Sequence, residues 1–177
     1  MKIIPFDDIS AILENKKKLE NSLGVKIIVK KEEVSIDGKP EDEFIAEKVL
    51  DAISFGFPFS IALMIKIDDF IFEILNIKNY THRTDLERIR ARIIGSGGKT
   101  LKTLTELTEC NFQIKNNEVG IIGSPEYIKN AQDAVISIIR GSKQANVYSF
   151  LEKHHVQPIL DLGLKEPKKK KGTKKKV

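Results

Sequence analysis

The sequence predicts an α+β protein made of two tandem copies of one β-α-α-β-β-α unit, with a glycine-rich loop between the helices of the second copy only. Three observations carry this. First, a constant shift of 85 residues lays one half on the other. Val34 falls on Val119, Ile36 on Ile121, Gly38 on Gly123, Pro40 on Pro125, Ala46 on Ala131, Ile53 on Ile138 and Gly56 on Gly141. Such a fixed period marks an internal duplication. Second, apolar residues alternate at matching places in both halves, with helical spacing before and after them. Third, residues 93–100 read Ile-Ile-Gly-Ser-Gly-Gly-Lys-Thr, placing three glycines within four residues. The counterpart in the first half, residues 10–13 or 15–18 with a small gap, has none.

Taken in order, residues 2–6 form a short apolar run read as a strand. Residues 7–14 predict a short helix capped by Asp7 or Asp8, with Ile9, Ile12 and Leu13 at helical spacing. The apolar pattern breaks at 15–18 and resumes from Leu19 to Leu23, so a second short helix is expected, ended by Gly24. Val25, Ile27 and Val29, then Val34 and Ile36, alternate as two strands across a charged turn. Residues 41–54 predict a helix with acids in its first turn. Residues 60–65 predict a short packing helix, and Phe55, Phe57 and Phe59 are read as packing between the two units. In the second copy, strands are expected at 70–77, around Phe112 and Ile114, and around Val119–Ile122. Helices are expected at 85–94, 100–108 and 126–140, the last with Ser124 as cap and Pro125 at its first position.

Composition narrows the function. Among 177 residues there is one cysteine, so no disulfide framework can form and a reducing cytoplasmic compartment is expected. No run has the length of a membrane span, and MKIIPFDDIS lacks the apolar region of a signal peptide. The net charge of +5 is unevenly placed. Residues 1–80 carry 11 lysines against 15 acids, net −4; residues 81–164 carry 11 basic residues against 9 acids, net +2; residues 165–177 carry 8 lysines against 1 acid, net +7. Outside that tail, the basic residues concentrate at 82–102, with Arg83, Arg88, Arg90, Arg92, Lys99 and Lys102 against only Asp85 and Glu87. The basic patch therefore coincides with the glycine loop, as the footprint of a polyanion would.

Two nucleotide-binding readings of the loop fail on spacing. A P-loop requires glycine where Ile93 stands, and a dinucleotide loop requires glycine where Thr100 stands and a strand where an arginine-bearing helix is expected. A glycine quartet between two helices of a β-α-α-β-β-α unit is instead the arrangement of the KH domain, whose G-x-x-G loop clamps about four single-stranded nucleotides. Gly95-Ser96-Gly97-Gly98 satisfies it. Without side chains, phosphates can approach the backbone, and the following helix N-terminus presents N–H groups. Ile94 with Phe112 or Ile114 would form the apolar groove for bases. The expected RNA-binding set is Arg88, Arg90, Arg92, Ile94, Gly95, Ser96, Gly97, Gly98, Lys99, Thr100, Lys102, Phe112, Ile114 and Lys115. We divide the chain into a degenerate first KH unit at 1–58, a second with the loop and a C-terminal helix at 59–164, and a lysine-rich tail at 165–177 expected to be disordered.

The segments ERIRARIIGSGGKTLKTLTELTECNFQI, VGIIGSPEYIKNAQDAV and VYSFLEK resemble the archaeal two-KH proteins related to the eukaryotic small-subunit assembly factor partner of Nob, and more distantly the Krr-type factors. The resemblance covers about residues 1–155. It implies two tandem type I KH folds, the first without its loop, and binding near the 3′ end of small-subunit ribosomal RNA in an archaeal cytoplasm. It also implies cooperation with an rRNA methyltransferase and a processing endonuclease, and contact with the alpha subunit of initiation factor two. Only the loop and its flanks carry over residue by residue. The reading is of a non-catalytic ribosome-assembly factor with no cofactor or metal; a protein-interaction scaffold without RNA contact is the rival, motivated by the acidic first half. Other features have plainer roles. Cys110 falls on Val25 in the repeat and is read as a buried apolar residue. His154 and His155 lack ligand-spaced partners, and Ser96 has no adjacent base to make it a nucleophile.

Overall fold

Antiparallel pairing in each half follows from the alternation of its apolar residues. In a computed structural model, residues 2–5 are described in their backbone, and residues 9–30 and 33–154 with their side chains. Strand β1 (Lys2–Pro5), helix α1 (Ser10–Leu23), strands β2 (Lys26–Lys30) and β3 (Glu33–Asp37), and helices α2 (Pro40–Phe55) and α3 (Phe59–Ile67) make the first half. Strand β4 (Ile71–Asn76), a 3-10 turn (Ile77–Tyr80), helix α4 (Leu86–Ile94), a second 3-10 turn (Ser96–Gly98) and helix α5 (Lys99–Thr108) open the second. Strands β5 (Asn111–Lys115) and β6 (Glu118–Gly123) and helices α6 (Ile128–Arg140) and α7 (Gln144–His154) complete it. Each half holds one three-stranded antiparallel sheet, in the order β1-β3-β2 and β4-β6-β5.

The 85-residue shift is obeyed by the registers. Ile27 faces Ile36 and Val29 faces Val34, just as Phe112 faces Ile121 and Ile114 faces Val119. Two glycine contacts repeat as well. A Cβ on Gly38 would meet Val25 Cγ1, and one on Gly123 would meet Cys110 Sγ, the residue that falls on Val25. Both α2 and α6 end on a left-handed glycine, Gly56 and Gly141. Cys110 is fully buried, and desolvation pushes its thiol up to about 11 against a hydrogen bond with Thr108, so it is a packing residue.

The halves differ between their first two strands. Ile36 and Ile121 correspond at a shift of 85, but their partners Lys2 and Glu73 at 71, so the first half is fourteen residues shorter there. One helix stands where the second half has two with the glycine loop between them. This corrects the expectation of two short helices at 7–14 and 19–23: α1 runs unbroken through Asn15 and the three lysines. Polar residues interrupt an apolar stripe without interrupting a helix when no glycine or proline intervenes. Ile12, Leu19 and Leu23 still share a buried face, Asn15 Nδ2 donates to Ala11 O at 3.0 Å, and Gly24 ends the helix as read. The proposed caps Asp7 and Asp8, Phe6, His155 and the tail lie outside the described residues. A second correction concerns Ser124. Helix α6 begins at Ile128, and it is the Ser124 carbonyl, not its hydroxyl, that accepts from Tyr127 N (3.1 Å) and Ile128 N (3.0 Å); Pro125 sits in the preceding turn.

Strand β6 joins the two cores. Val119 and Ile121 lie among the second-half helices, whereas Ile122 belongs to the first-half core, all three fully buried. Phe55, Phe57 and Phe72 meet as ring pairs 5.8–6.1 Å apart against Gly120, so Phe55 and Phe57 do pack between the halves; Phe59 packs on the first core. A Cβ on Gly120 would stand 2.7 Å from Phe55 and 2.8 Å from Phe57. Gly120→Ala should therefore cost about 1–3 kcal/mol through overpacking, read as a lower urea midpoint; an unchanged midpoint would contradict this seam.

Candidate nucleic-acid interface

Three consecutive constraints shape the loop between α4 and α5. Gly95 has φ +75°, Gly97 φ +61° and Gly98 φ +77°, all in the region that costs other L-residues energy. The reasons for glycine differ. At Gly95 a Cβ would collide with Thr100 Oγ1 and stand 2.7 Å from Thr100 N, so the loop folds tightly onto the start of α5. At Gly97 and Gly98 a Cβ would meet nothing within 4 Å. The tip of the loop therefore presents bare backbone to open space. Lys99 and Lys102 are exposed beside it, and Gly98 N donates back to Gly95 O at 3.2 Å.

The arginines of α4 divide by helical geometry. Residues four apart share a face and residues two apart are about 200° apart. Arg90 and Ile94 point one way. Arg90 Nη1 donates to Asn116 O at 2.9 Å, so this face looks toward the β5–β6 turn. Ile94 is 37% exposed, and Phe112 and Ile114 of β5 are half-buried on the helix side of the sheet. These are the apolar and polar elements expected of a base-binding groove. Arg88 and Arg92 point the other way and, with Ala91, Lys99, Thr103 and Tyr148, line a cleft of about 570 Å³ between α4, α5 and α7.

Besides Arg90, three more predicted residues spend their side chains on the protein. Arg92 donates to Ser142 O at 2.7 Å and Ile138 O at 3.4 Å, holding the α6–α7 junction. Thr100 is buried, and its hydroxyl accepts from Gln144 Nε2 at 2.8 Å. A metal-facing Gly-Lys-Thr hydroxyl, as a nucleotide-dependent enzyme would need, is thus already engaged. Lys115 points to the opposite face of β5 from Phe112 and Ile114, where its ammonium donates to Ser54 O at 2.8 Å. Arg88 makes no ion pair or side-chain hydrogen bond among the described residues. Sequence reasoning missed Gln144, which also donates to Arg92 O at 3.1 Å and so pins α7 to both ends of the loop. A contact spanning 44 residues leaves no local signal.

The two kinds of glycine predict different mutational costs. Gly95→Ala combines a steric collision with strained φ and should destabilise the fold by roughly 3 kcal/mol or more. Gly97→Ala carries only the φ cost of about 1–2 kcal/mol. Urea denaturation of both variants checks this; equal losses would contradict the tight fold of Gly95 onto Thr100.

Comparison with known proteins agrees with this geometry. Residues 71–156 match the model of the eukaryotic type KH-domain (KH-domain type I), in its form as the second KH domain of PNO1. A KH domain-containing protein of Methanocaldococcus jannaschii is 32% identical over 166 residues, covering 85% of this chain and 71% of that protein. The pre-rRNA-processing protein pno1 of Aspergillus oryzae is 31% identical over 111 residues, 60% of this chain and 43% of that protein, so the chain spans under half of this eukaryotic relative. A chain of the a/eIF2alpha–aDim2p–rRNA complex from Pyrococcus horikoshii superposes with a TM-score of 0.79 at 27% identity, covering 87% of this chain and 93% of that one. Among the described residues no helix is long and apolar enough to cross a membrane. The chain belongs to the family of archaeal KH-domain proteins homologous to the eukaryotic pre-rRNA-processing factor Pno1.

Proposed function

We propose that this protein binds single-stranded RNA through the loop at residues 95–100 and acts, without catalysis, as a ribosome-assembly factor on the 3′ region of small-subunit rRNA. The observation that carries the reading is the bare loop tip. Gly97 and Gly98 hold left-handed backbone over open space, with exposed Lys99 and Lys102 beside them. Phosphates would meet the loop backbone and the α5 N-terminus. Unstacked bases would lie against Ile94, Phe112 and Ile114, with Arg90 at the rim. Arg88 would supply a further charge, while Arg92, Thr100 and Lys115 support the site by holding its frame. The naming of the eukaryotic relative as a pre-rRNA-processing protein, and the rRNA in the Pyrococcus complex, support this reading.

We read the first half, residues 1–58, as a degenerate KH unit that lost its first helix and loop with the fourteen missing residues, and 59–164 as the working unit. The first half would then serve as a rigid support or as a protein-docking platform. The a/eIF2alpha in the Pyrococcus complex supports the alpha subunit of initiation factor two as a partner. An rRNA methyltransferase and a processing endonuclease, in the same cytoplasmic setting, remain part of the proposal through the family resemblance alone. A scaffold role in protein contact finds its support in exposed Phe44 (61%) on the first unit and Ile67 (68%) at the end of α3 beside it.

Replacing Gly97 and Gly98 together by Asp places two charges in open space where RNA would approach. Binding to single-stranded RNA should fall by roughly a hundredfold, corresponding to about 3 kcal/mol, with a cooperative melting transition retained. Wild-type affinity should also decline with salt at a slope of about −0.7 per phosphate contacted. Unchanged affinity of a folded variant in a filter-binding titration would sink this function.

A further inference from the structure

A second basic cleft lies beyond the loop, on the α7 side of α4. His82, Arg83, Arg88 and Arg92 line a space of about 590 Å³ with Thr84, Asp85 and Gly141. Asp85 is the only acid among them. The Arg83 and Arg92 guanidinium groups each come within 3.8 Å of the place where a Cβ on Gly141 would stand, so two cations converge over the left-handed end of α6. One of those cations has a structural explanation: Arg92 satisfies the last carbonyls of α6 and the following turn. Arg83 has none. Its backbone N–H donates to Thr81 Oγ1 at 3.2 Å, but its side chain forms no hydrogen bond or ion pair among the described residues. Nor does Arg88.

The cleft is continuous with the loop. Arg88 and Arg92 also line the cleft that holds Gly95, Ser96 and Lys99. One ridge of α4 therefore borders both, and Arg88 stands about 10 Å along the helix from Gly95 at 1.5 Å per residue. A track of basic residues, with Asp85 as the one acid in its lining, runs from the loop past Arg88 to Arg83, outside the loop on which a KH domain clamps about four nucleotides. The fold gains nothing from holding the Arg83 and Arg88 guanidinium groups here with no side-chain partner among the described residues, whereas a polyanionic strand would neutralise them.

We propose that this cleft is a second phosphate site, with Arg83 as its principal ligand. It takes the sugar–phosphate backbone of the same RNA strand after it leaves the loop. The proposal rests on the RNA-binding reading above. It assigns Arg83 and His82, which lie outside the loop and its groove, to affinity for flanking nucleotides without base choice, since phosphate contacts position a strand and do not read it.

The test uses the full chain and a random 20-nucleotide RNA pool. Sequences enriched on the wild-type protein are trimmed to a minimal core, and core and extended RNAs are titrated at several salt concentrations. Arg83→Gln should weaken the extended RNA roughly three- to tenfold and reduce its salt slope by about 0.7, one single-strand phosphate contact. The core should bind as before. Arg83→Glu should deepen the same length-dependent loss, and Lys129→Gln, at an exposed position of α6, should leave both RNAs unaffected. Equal losses on core and extended RNA, or no loss on either, would overturn the second site while leaving the loop's role standing. A pool that yields no enriched RNA would overturn the RNA-binding reading itself, and this site with it.

Discussion

The architecture depends on one strand being buried on both faces. Val119 and Ile121 of β6 are enclosed by the helices of the second half, and Gly120 and Ile122 by the first half. A strand in this position cannot carry a polar face, and it can carry a side chain only where the opposing surface leaves room. Phe55 and Phe57 approach so closely that position 120 must be glycine. From this follows the role of the aromatic cluster, the diversion of Lys115 to Ser54, and the fixed orientation of the sheet that carries Phe112 and Ile114. The candidate nucleic-acid interface is thus built on a platform that the first half holds from behind.

On that platform the loop is held from three directions. Gly95 lies against Thr100, Thr100 is tied to Gln144, and Gln144 and Arg92 bind α7 and the end of α6 to the end of α4. Such a frame fixes the backbone at Gly97 and Gly98 before any ligand arrives. Preorganisation of this kind lowers the entropy cost of binding a flexible strand. It also explains why charged and hydroxyl residues next to the loop are not all available to a ligand: Arg92 and Thr100 hold the frame instead.

Much of this was legible in the chain itself. The 85-residue shift lays Val25 over Cys110 and Gly38 over Gly123, the residues whose contacts repeat in the two halves, and turn chemistry marks Gly24 and Gly56. The glycine spacing located the loop and separated it from nucleotide-binding loops. The failures share a cause. Apolar periodicity treats a polar interruption as a break, although α1 continues through its lysines because backbone hydrogen bonding does not depend on them. Local charge density treats every arginine as available, although Arg92 and Arg90 meet carbonyls 46 or 50 and 26 residues away. Contacts at such separation follow from how helices are stacked, and no window of sequence contains them. Arg83 is the converse case, a cation whose side chain has no partner among the described residues and whose position over Gly141 appears only in three dimensions.

The central claim is that RNA is gripped by the second half, at the loop and the groove beside it. Ultraviolet crosslinking of the protein to RNA in its host cell, with mass spectrometry of the nucleotide-bearing peptides, tests this most directly. Adducts should fall on residues 95–102 and on Phe112 and its neighbours in β5. Adducts confined to β2 and β3 of the first half, or protein recovered without any RNA adduct, would contradict it.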